Sequence, residues 1–119
     1  MDRIAIVTGA SSGLGSEIAL KLAKKRFHLV IIGRSIKGLK NTFDKIDNIN
    51  GKCTIIQLDL CQDNCSEVIK KHIDKIKGNV EVIVNNAGIG IFKNVEMLSV
   101  RDWQKMISLN LTAAFLLTK

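Results

Sequence analysis

Two kinds of apolar pattern alternate along the chain. In the first, short runs rich in Val, Ile and Leu are bounded by glycine or polar residues, which is typical of buried parallel strands. These runs span residues 3–8, 29–32, 53–58 and 80–84. In the second, apolar residues recur at every third or fourth position, which predicts amphipathic helices. The pattern therefore predicts the order β-α-β-α-β-α-β-α.

Capping and turn residues mark the boundaries of the predicted helices. Ser35 can cap the second helix, and the third is predicted over residues 66–76, closed by Gly78. Ser99 and Asp102 resemble a capping box in which Asp stands for the usual Glu. They predict a last helix that runs to the final residue.

This alternation of strands and helices indicates an α/β fold. Strands of a parallel sheet are joined by right-handed crossovers, so helices cover both faces and form three layers, α/β/α. The 119 residues suffice for one domain, 1–119, and contain no repeat or linker. We therefore predict a doubly wound parallel sheet.

Composition and charge exclude several classes of protein. No segment approaches the roughly 18 to 20 apolar residues of a membrane span, and the first residues lack signal-peptide features, so we expect a cytoplasmic protein. The net charge of +7 could suggest nucleic-acid binding, but the lysines are dispersed and form no cluster interleaved with aromatic residues. The three cysteines lack the spacing of a disulfide framework or a zinc site. We expect no nucleic-acid, membrane or metal binding.

A glycine-rich turn, TGASSGLG, follows the first strand. Its glycines allow a sharp turn, close approach of a ligand and close packing of helix on strand. Helix N–H groups and the positive end of the helix dipole then face the ligand, and a pyrophosphate suits them. A P-loop is excluded because no Gly-Lys-Ser/Thr follows, while an ordinary β-α turn stays open as the alternative. The candidate binding residues are Gly9, Ser11, Ser12, Gly13, Leu14 and Gly15.

The end of the second strand carries the choice of nucleotide. A carboxylate there would bind the adenosine ribose 2′-hydroxyl and select NAD(H). Gly33 occupies that place and Arg34 follows it. Because a guanidinium suits a 2′-phosphate, we predict NADP(H) over NAD(H), with a solvent-facing Arg34 as the alternative.

Four motifs in this order resemble the short-chain dehydrogenase/reductase family. Residues 8–15 meet its TGxxxGxG motif in full, and its NNAG motif stands at residues 85–88 after the fourth strand. An acidic residue follows the third strand, and an Asn lies in the last helix. The resemblance implies a Rossmann-type sheet in strand order 3-2-1-4. It also implies cofactor contacts by Asp59, Leu60, Asn86, Ala87 and Gly88, and a catalytic role for Asn110 in holding a water of a proton relay.

Each of these motifs also has a structural interpretation. A carboxylate such as Asp59 often caps a turn, and NNAG after a strand can be an ordinary turn. Asn110 can serve as a structural residue bonded to the backbone.

The predicted fold leaves apolar surface exposed. With strand order 3-2-1-4, the fourth strand is an apolar edge, and the last helix also exposes apolar residues. We therefore expect the isolated chain to be prone to association and only marginally stable.

The resemblance implies a reaction but not a complete active site. In the family, a Ser, a Tyr and a Lys four residues after the Tyr support hydride transfer between NAD(P)(H) and a carbonyl or alcohol carbon, and all follow the Asn-bearing helix. The chain contains no Tyr, so we expect the first half of a reductase that binds cofactor but is inactive alone.

The substrate and the partners follow only in outline. A 3-oxoacyl substrate is favoured, while sugars, steroids and small ketones stay open. The 99–119 helix is a candidate homo-oligomer contact. The alternative is a non-catalytic NADP(H)-binding module.

Overall fold

A four-stranded sheet forms the centre of the fold. The computed structural model describes residues 1–62, 64–88 and 94–118. The strands are β1 (Asp2–Thr8), β2 (His28–Gly33), β3 (Lys52–Gln57) and β4 (Gly78–Val84). All three strand pairs are parallel, and the order β3-β2-β1-β4 confirms the predicted topology.

The helices follow the predicted order. They are α1 (Gly13–Lys24), α2 (Ile36–Asp47), α3 (Cys65–Asp74), a 3₁₀ turn (Val95–Met97), α4 (Val100–Ile107), a π-helical segment (Ser108–Thr112) and α5 (Ala113–Thr118). In the part of the chain that the structure describes, no helix is both long and apolar enough to cross a membrane.

The core lies on both faces of the sheet. Successive residues of a strand point to opposite faces, so Ala5 and Val7 pack with α1 and α2, whereas Ile4 and Ile6 pack with α3 and α5. All four are at most 2% exposed. The helices therefore cover both sides of the sheet, as the three-layer prediction requires.

Two predicted boundaries were wrong. Gly78 does not close the third helix, which ends at Asp74; it begins β4 instead. A Cβ at Gly78 would meet the carbonyl group of Asp2, so glycine permits this close pairing with β1. The last helix is not continuous either, because the π-helical segment 108–112 separates α4 from α5.

The loops that follow the four parallel strands lie together at one edge of the sheet. The carboxyl ends of the four strands lie together, and they are followed by Gly9, Arg34, Leu58 and Asn85. In open α/β sheets, ligands bind in the crevice beyond these ends.

Candidate functional site

A cleft of about 380 Å³ opens at the carboxyl edge of the sheet. Nine of the twelve predicted cofactor-binding residues line it: Gly9, Ser11, Ser12, Arg34, Asp59, Leu60, Asn86, Ala87 and Gly88. The remaining lining residues are Ile32, Gly33, Ser35, Leu58 and Leu109. Gly13, Leu14 and Gly15 lie outside this lining, and Leu14 is 69% exposed. The structure therefore brings residues from all four carboxyl-end loops to one cleft.

The glycines of the turn after β1 serve different purposes. Gly9 and Gly13 have φ angles of +63° and +56°, in the left-handed region that favours glycine. Gly15 lies in the first turn of α1, where a Cβ would meet the carbonyl group of Gly9 and come within 2.6 Å of the Asn86 amide nitrogen. Gly9 and Gly13 therefore shape the turn, and Gly15 allows α1 to pack against it.

The amino end of α1 differs from those of α2 and α4. Ser35 and Ser99 cap α2 and α4, each accepting a hydrogen bond from a backbone N–H of its helix. Ser12 stands at the same position of α1, yet its side chain makes no capping hydrogen bond, and neither does that of Asn64 at α3, which lies outside the cleft lining. The first N–H groups of a helix have no partners within the helix. At α1 these N–H groups have no acceptor from the Ser12 side chain, and the positive end of the helix dipole lies behind them.

Thr8 joins the ends of β1 and β4 beside the cleft. Its Oγ1 accepts hydrogen bonds from the N–H groups of Asn86 and Ala87, at 3.0 and 2.9 Å, and donates one to the Val84 carbonyl at 3.3 Å. The Asn86 side chain in turn donates to the Gly9 carbonyl at 3.2 Å. These contacts hold the NNAG segment against the glycine-rich turn, which gives the cleft a fixed wall.

The two Asn side chains of the NNAG segment point to different places. Asn85 donates to Thr118 Oγ1 at 3.1 Å and so ties the segment to α5. Asn86 faces the glycine-rich turn, as described above. Asn86, but not Asn85, therefore belongs to the cleft.

Arg34 and Asp59 stand on neighbouring loops of the cleft. Arg34 is exposed, and its carbonyl accepts a hydrogen bond from the Gln57 side chain at 3.1 Å. One carboxylate oxygen of Asp59 accepts from the Cys61 N–H at 2.9 Å, which is the turn role that the sequence left open. Burial, followed by the charge of Asp59, raises the pKa of the Cys61 thiol, which disfavours its thiolate form.

Asn110 lies beside the cleft without lining it. It stands in the middle of the π-helical segment and is exposed. A Cβ at Gly88 would lie 3.2 Å from its Oδ1, so the Asn110 side chain adjoins the NNAG wall. Interruptions of this kind within helices often occur at functional sites.

Sequence reasoning missed a buried polar group behind the cleft. Ser16 of α1 and Thr42 of α2 are 5% and 1% exposed, and their hydroxyl oxygens lie 2.9 Å apart. Thr42 also donates to the Ala10 carbonyl at 2.7 Å. A signal was present, because Thr42 falls between Leu39 and Ile46 on the apolar face of its helix.

Comparisons with known proteins agree with this geometry. A 3-oxoacyl-(acyl-carrier-protein) reductase of Buchnera aphidicola is 35% identical over 118 residues, covering 98% of the chain and 47% of that protein. Retinol dehydrogenase 8 of Homo sapiens is 35% identical over 122 residues, covering 98% and 38%. A metagenomic short-chain oxidoreductase solved with NADP superposes with a TM-score of 0.91 at 30% identity, covering 97% and 52%.

The family match covers nearly the whole chain, as the individual relatives do. The chain spans less than half the length of the two curated relatives. A family model described as short chain dehydrogenase matches residues 3–119. The chain therefore belongs to the short-chain dehydrogenase family of oxidoreductases.

Proposed function

We propose that the chain forms the NADP(H)-binding part of an oxidoreductase that transfers hydride between the nicotinamide and a carbonyl or alcohol carbon. The observation that carries the proposal is the uncapped amino end of α1, where Ser12 makes no capping bond beside a cleft. Backbone donors and the helix dipole at this point suit a pyrophosphate. The left-handed Gly9 lets the loop approach such a ligand without a Cβ.

Each loop of the cleft has a role in this proposal. Ser11, Ser12 and the following N–H groups would hold the pyrophosphate, and Arg34 would bind the 2′-phosphate. Asp59 and Leu60 would contact the adenine ring. Asn86, Ala87 and Gly88 would form the opposite wall, while Gly13, Leu14 and Gly15 complete the turn. When bound, NADP(H) would supply or accept the hydride.

The acid/base step has no tyrosine candidate among these 119 residues. The chain has no Tyr, so the general acid/base of the family resemblance is absent from it. Asn110, whose side chain adjoins Gly88, would hold a water of a proton relay. We propose a 3-oxoacyl substrate, supported by the likeness to the Buchnera reductase. A cytoplasmic location and association through α4, the π-helical segment and α5 belong to the same proposal.

Cofactor titration tests the proposal directly. NADPH and NADH are added to the purified chain while nicotinamide fluorescence is followed, and carbonyl substrates are assayed in the same samples. We expect tighter binding of NADPH and no turnover. Turnover would show that another group supplies the proton, and binding of neither nucleotide would overturn the proposal.

The role of Arg34 in cofactor preference has a separate test. Arg34→Glu removes the guanidinium and adds a carboxylate suited to the ribose 2′-hydroxyl, so the preference should shift from NADPH toward NADH. Lys71→Glu is the control, because Lys71 is exposed on α3 and outside the cleft lining. It changes the charge by the same amount but should leave the ratio of the two dissociation constants unchanged. An Arg34→Glu chain that kept its NADPH preference would refute the assignment.

A further inference from the structure

Ala10 is held from both sides at the centre of the glycine-rich turn. Its N–H donates to the Ile32 carbonyl at the end of β2, at 3.2 Å. Its carbonyl accepts from Thr42 Oγ1 of α2, at 2.7 Å. Both backbone polar groups of Ala10 are therefore directed into the protein. The Ala10 carbonyl and the Ser11 N–H belong to one planar peptide, so fixing the carbonyl also fixes the direction of the Ser11 N–H.

The Thr42 hydroxyl both donates and accepts a hydrogen bond within the protein. It has one proton, and the Ala10 carbonyl at 2.7 Å is a nearer acceptor than the Gly38 carbonyl at 3.3 Å. Since that proton goes to Ala10, Thr42 accepts from the Ser16 hydroxyl 2.9 Å away. A buried hydroxyl is costly without a partner, so this chain from α1 through α2 to the turn has one favoured arrangement.

The first turn of α2 also presses directly on the glycine-rich turn. A Cβ at Gly38 would lie 2.5 Å from the Ser11 carbonyl oxygen and 2.8 Å from the Ser11 Cβ. Arg34 immediately precedes the Ser35 cap of the same helix. The position of α2 therefore sets both the glycine-rich turn and the backbone that carries Arg34.

We propose that Thr42 and Ser16 are positioning residues for the phosphate-binding turn. Their hydroxyls hold the Ala10 carbonyl away from the cleft, so that the next N–H groups face a pyrophosphate before it arrives. Neither Thr42 nor Ser16 lines the cleft itself. The proposal rests on the proposed function for the identity of the ligand but not for the geometry.

Thr42→Val tests the proposal, because valine keeps the shape and loses the hydroxyl. Losing one buried hydrogen bond should weaken NADPH binding roughly two- to tenfold. Thr42→Ser should recover most of this loss, and Ser16→Ala should show a smaller one. Thr54→Val is the matched control: Thr54 Oγ1 bonds His28 Nε2 at 2.8 Å on the sheet, outside the cleft lining, and its loss should leave the dissociation constant unchanged.

Amide hydrogen exchange provides a second readout that needs no cofactor. In the ligand-free chain, Thr42→Val should speed exchange at Ser11 and Ser12 relative to the β1 amides, whereas Thr54→Val should not. A merely structural role would lower the unfolding temperature of both variants and leave NADPH binding and turn exchange unchanged in the folded chain. That result would overturn the proposal. Failure of the wild-type chain to bind NADPH would instead refute the proposed function, and the exchange result would still decide the role of Thr42.

Discussion

Gly15 combines two opposing effects of an added methyl group. Alanine is favoured over glycine inside a helix by about 1 kcal/mol. At Gly15, however, the Cβ would meet the Gly9 carbonyl and the Asn86 amide, neither of which can move without disturbing the cleft wall. Overpacking typically costs about 1–3 kcal/mol, so the steric effect should prevail. We predict that Gly15→Ala lowers the free energy of unfolding in urea and weakens NADPH binding.

Gly13→Ala serves as the comparison for this prediction. Gly13 has a φ of +56°, so alanine there should cost about 1–2 kcal/mol of backbone strain. A Cβ at Gly13 meets no atom of the described structure within 4 Å, so the packing of α1 on the turn is preserved. NADPH binding should therefore fall less than in Gly15→Ala. Equal losses in the two variants would argue against the steric explanation.

Cys53 predicts a loss of stability at alkaline pH. Burial raises the pKa of its thiol from 9.0 to about 12 in the folded chain. Between these values the unfolded thiol ionises while the folded one stays protonated, so stability falls as pH rises, by at most about 1.4 kcal/mol per pH unit. Below pH 9.0 the thiol is protonated in both the folded and the unfolded chain, so it causes no loss of stability there. Urea unfolding at about pH 8 and pH 10.5 should show a smaller pH effect for Cys53→Val than for wild type, and equal effects would contradict this account.

The residues predicted from the sequence are those whose roles follow from local pattern. Gly9 was identified because a turn between strand and helix needs glycine, and Arg34 because it follows Gly33, which stands where a carboxylate would select NAD(H). Thr42 and Gln57 act on backbone groups far away in the chain, at Ala10 and Arg34. Such contacts exist only once the helices and strands have packed.

The helices also differ in whether a feature follows from local sequence pattern or from packing. The capping box was predicted because its two partners stand three residues apart. Ser99 Oγ accepts from the Asp102 N–H at 2.9 Å, and the Asp102 carboxylate accepts from the Ser99 N–H at 3.3 Å. The π-helical segment after α4 was not predicted, because a wider turn depends on contacts outside the helix and leaves no mark in the apolar spacing. The strand order, in contrast, followed from the motif resemblance.

Loss of the α4 cap should destabilise the chain measurably. We predict that Ser99→Ala costs about 0.5–2 kcal/mol of unfolding free energy, because it leaves the Asp102 N–H without its acceptor. Fluorescence of Trp103, the one Trp of the chain, reports on α4 during urea unfolding. Ser12→Ala is the control, since Ser12 holds the capping position of α1 without a capping bond. The effect of Ser12→Ala on the free energy of unfolding should stay within about 0.5 kcal/mol. A loss as large as that of Ser99→Ala would contradict the assignment of the caps.

The whole molecule is more extended than a compact domain of its length. Its radius of gyration is 14.9 Å, whereas about 13.5 Å is expected for this number of residues. Apolar side chains are correspondingly exposed: Leu111 and Phe115 are 61% and 63% accessible, and Val80 of the edge strand β4 is 40% accessible. Exposed apolar surface of this kind favours association.

We predict that the isolated chain associates with itself through the helical surface that includes Leu111 and Phe115. These residues are four apart, so both lie on one side of the helical segment and can be buried together. Leu111→Lys should reduce the association seen in sedimentation velocity as concentration rises, because a charge is costly to bury there. Val95→Lys is the control, since Val95 is 89% exposed on the 3₁₀ turn. If Val80→Lys abolished association and Leu111→Lys did not, the contact would lie at β4, where an edge strand offers unpaired backbone groups.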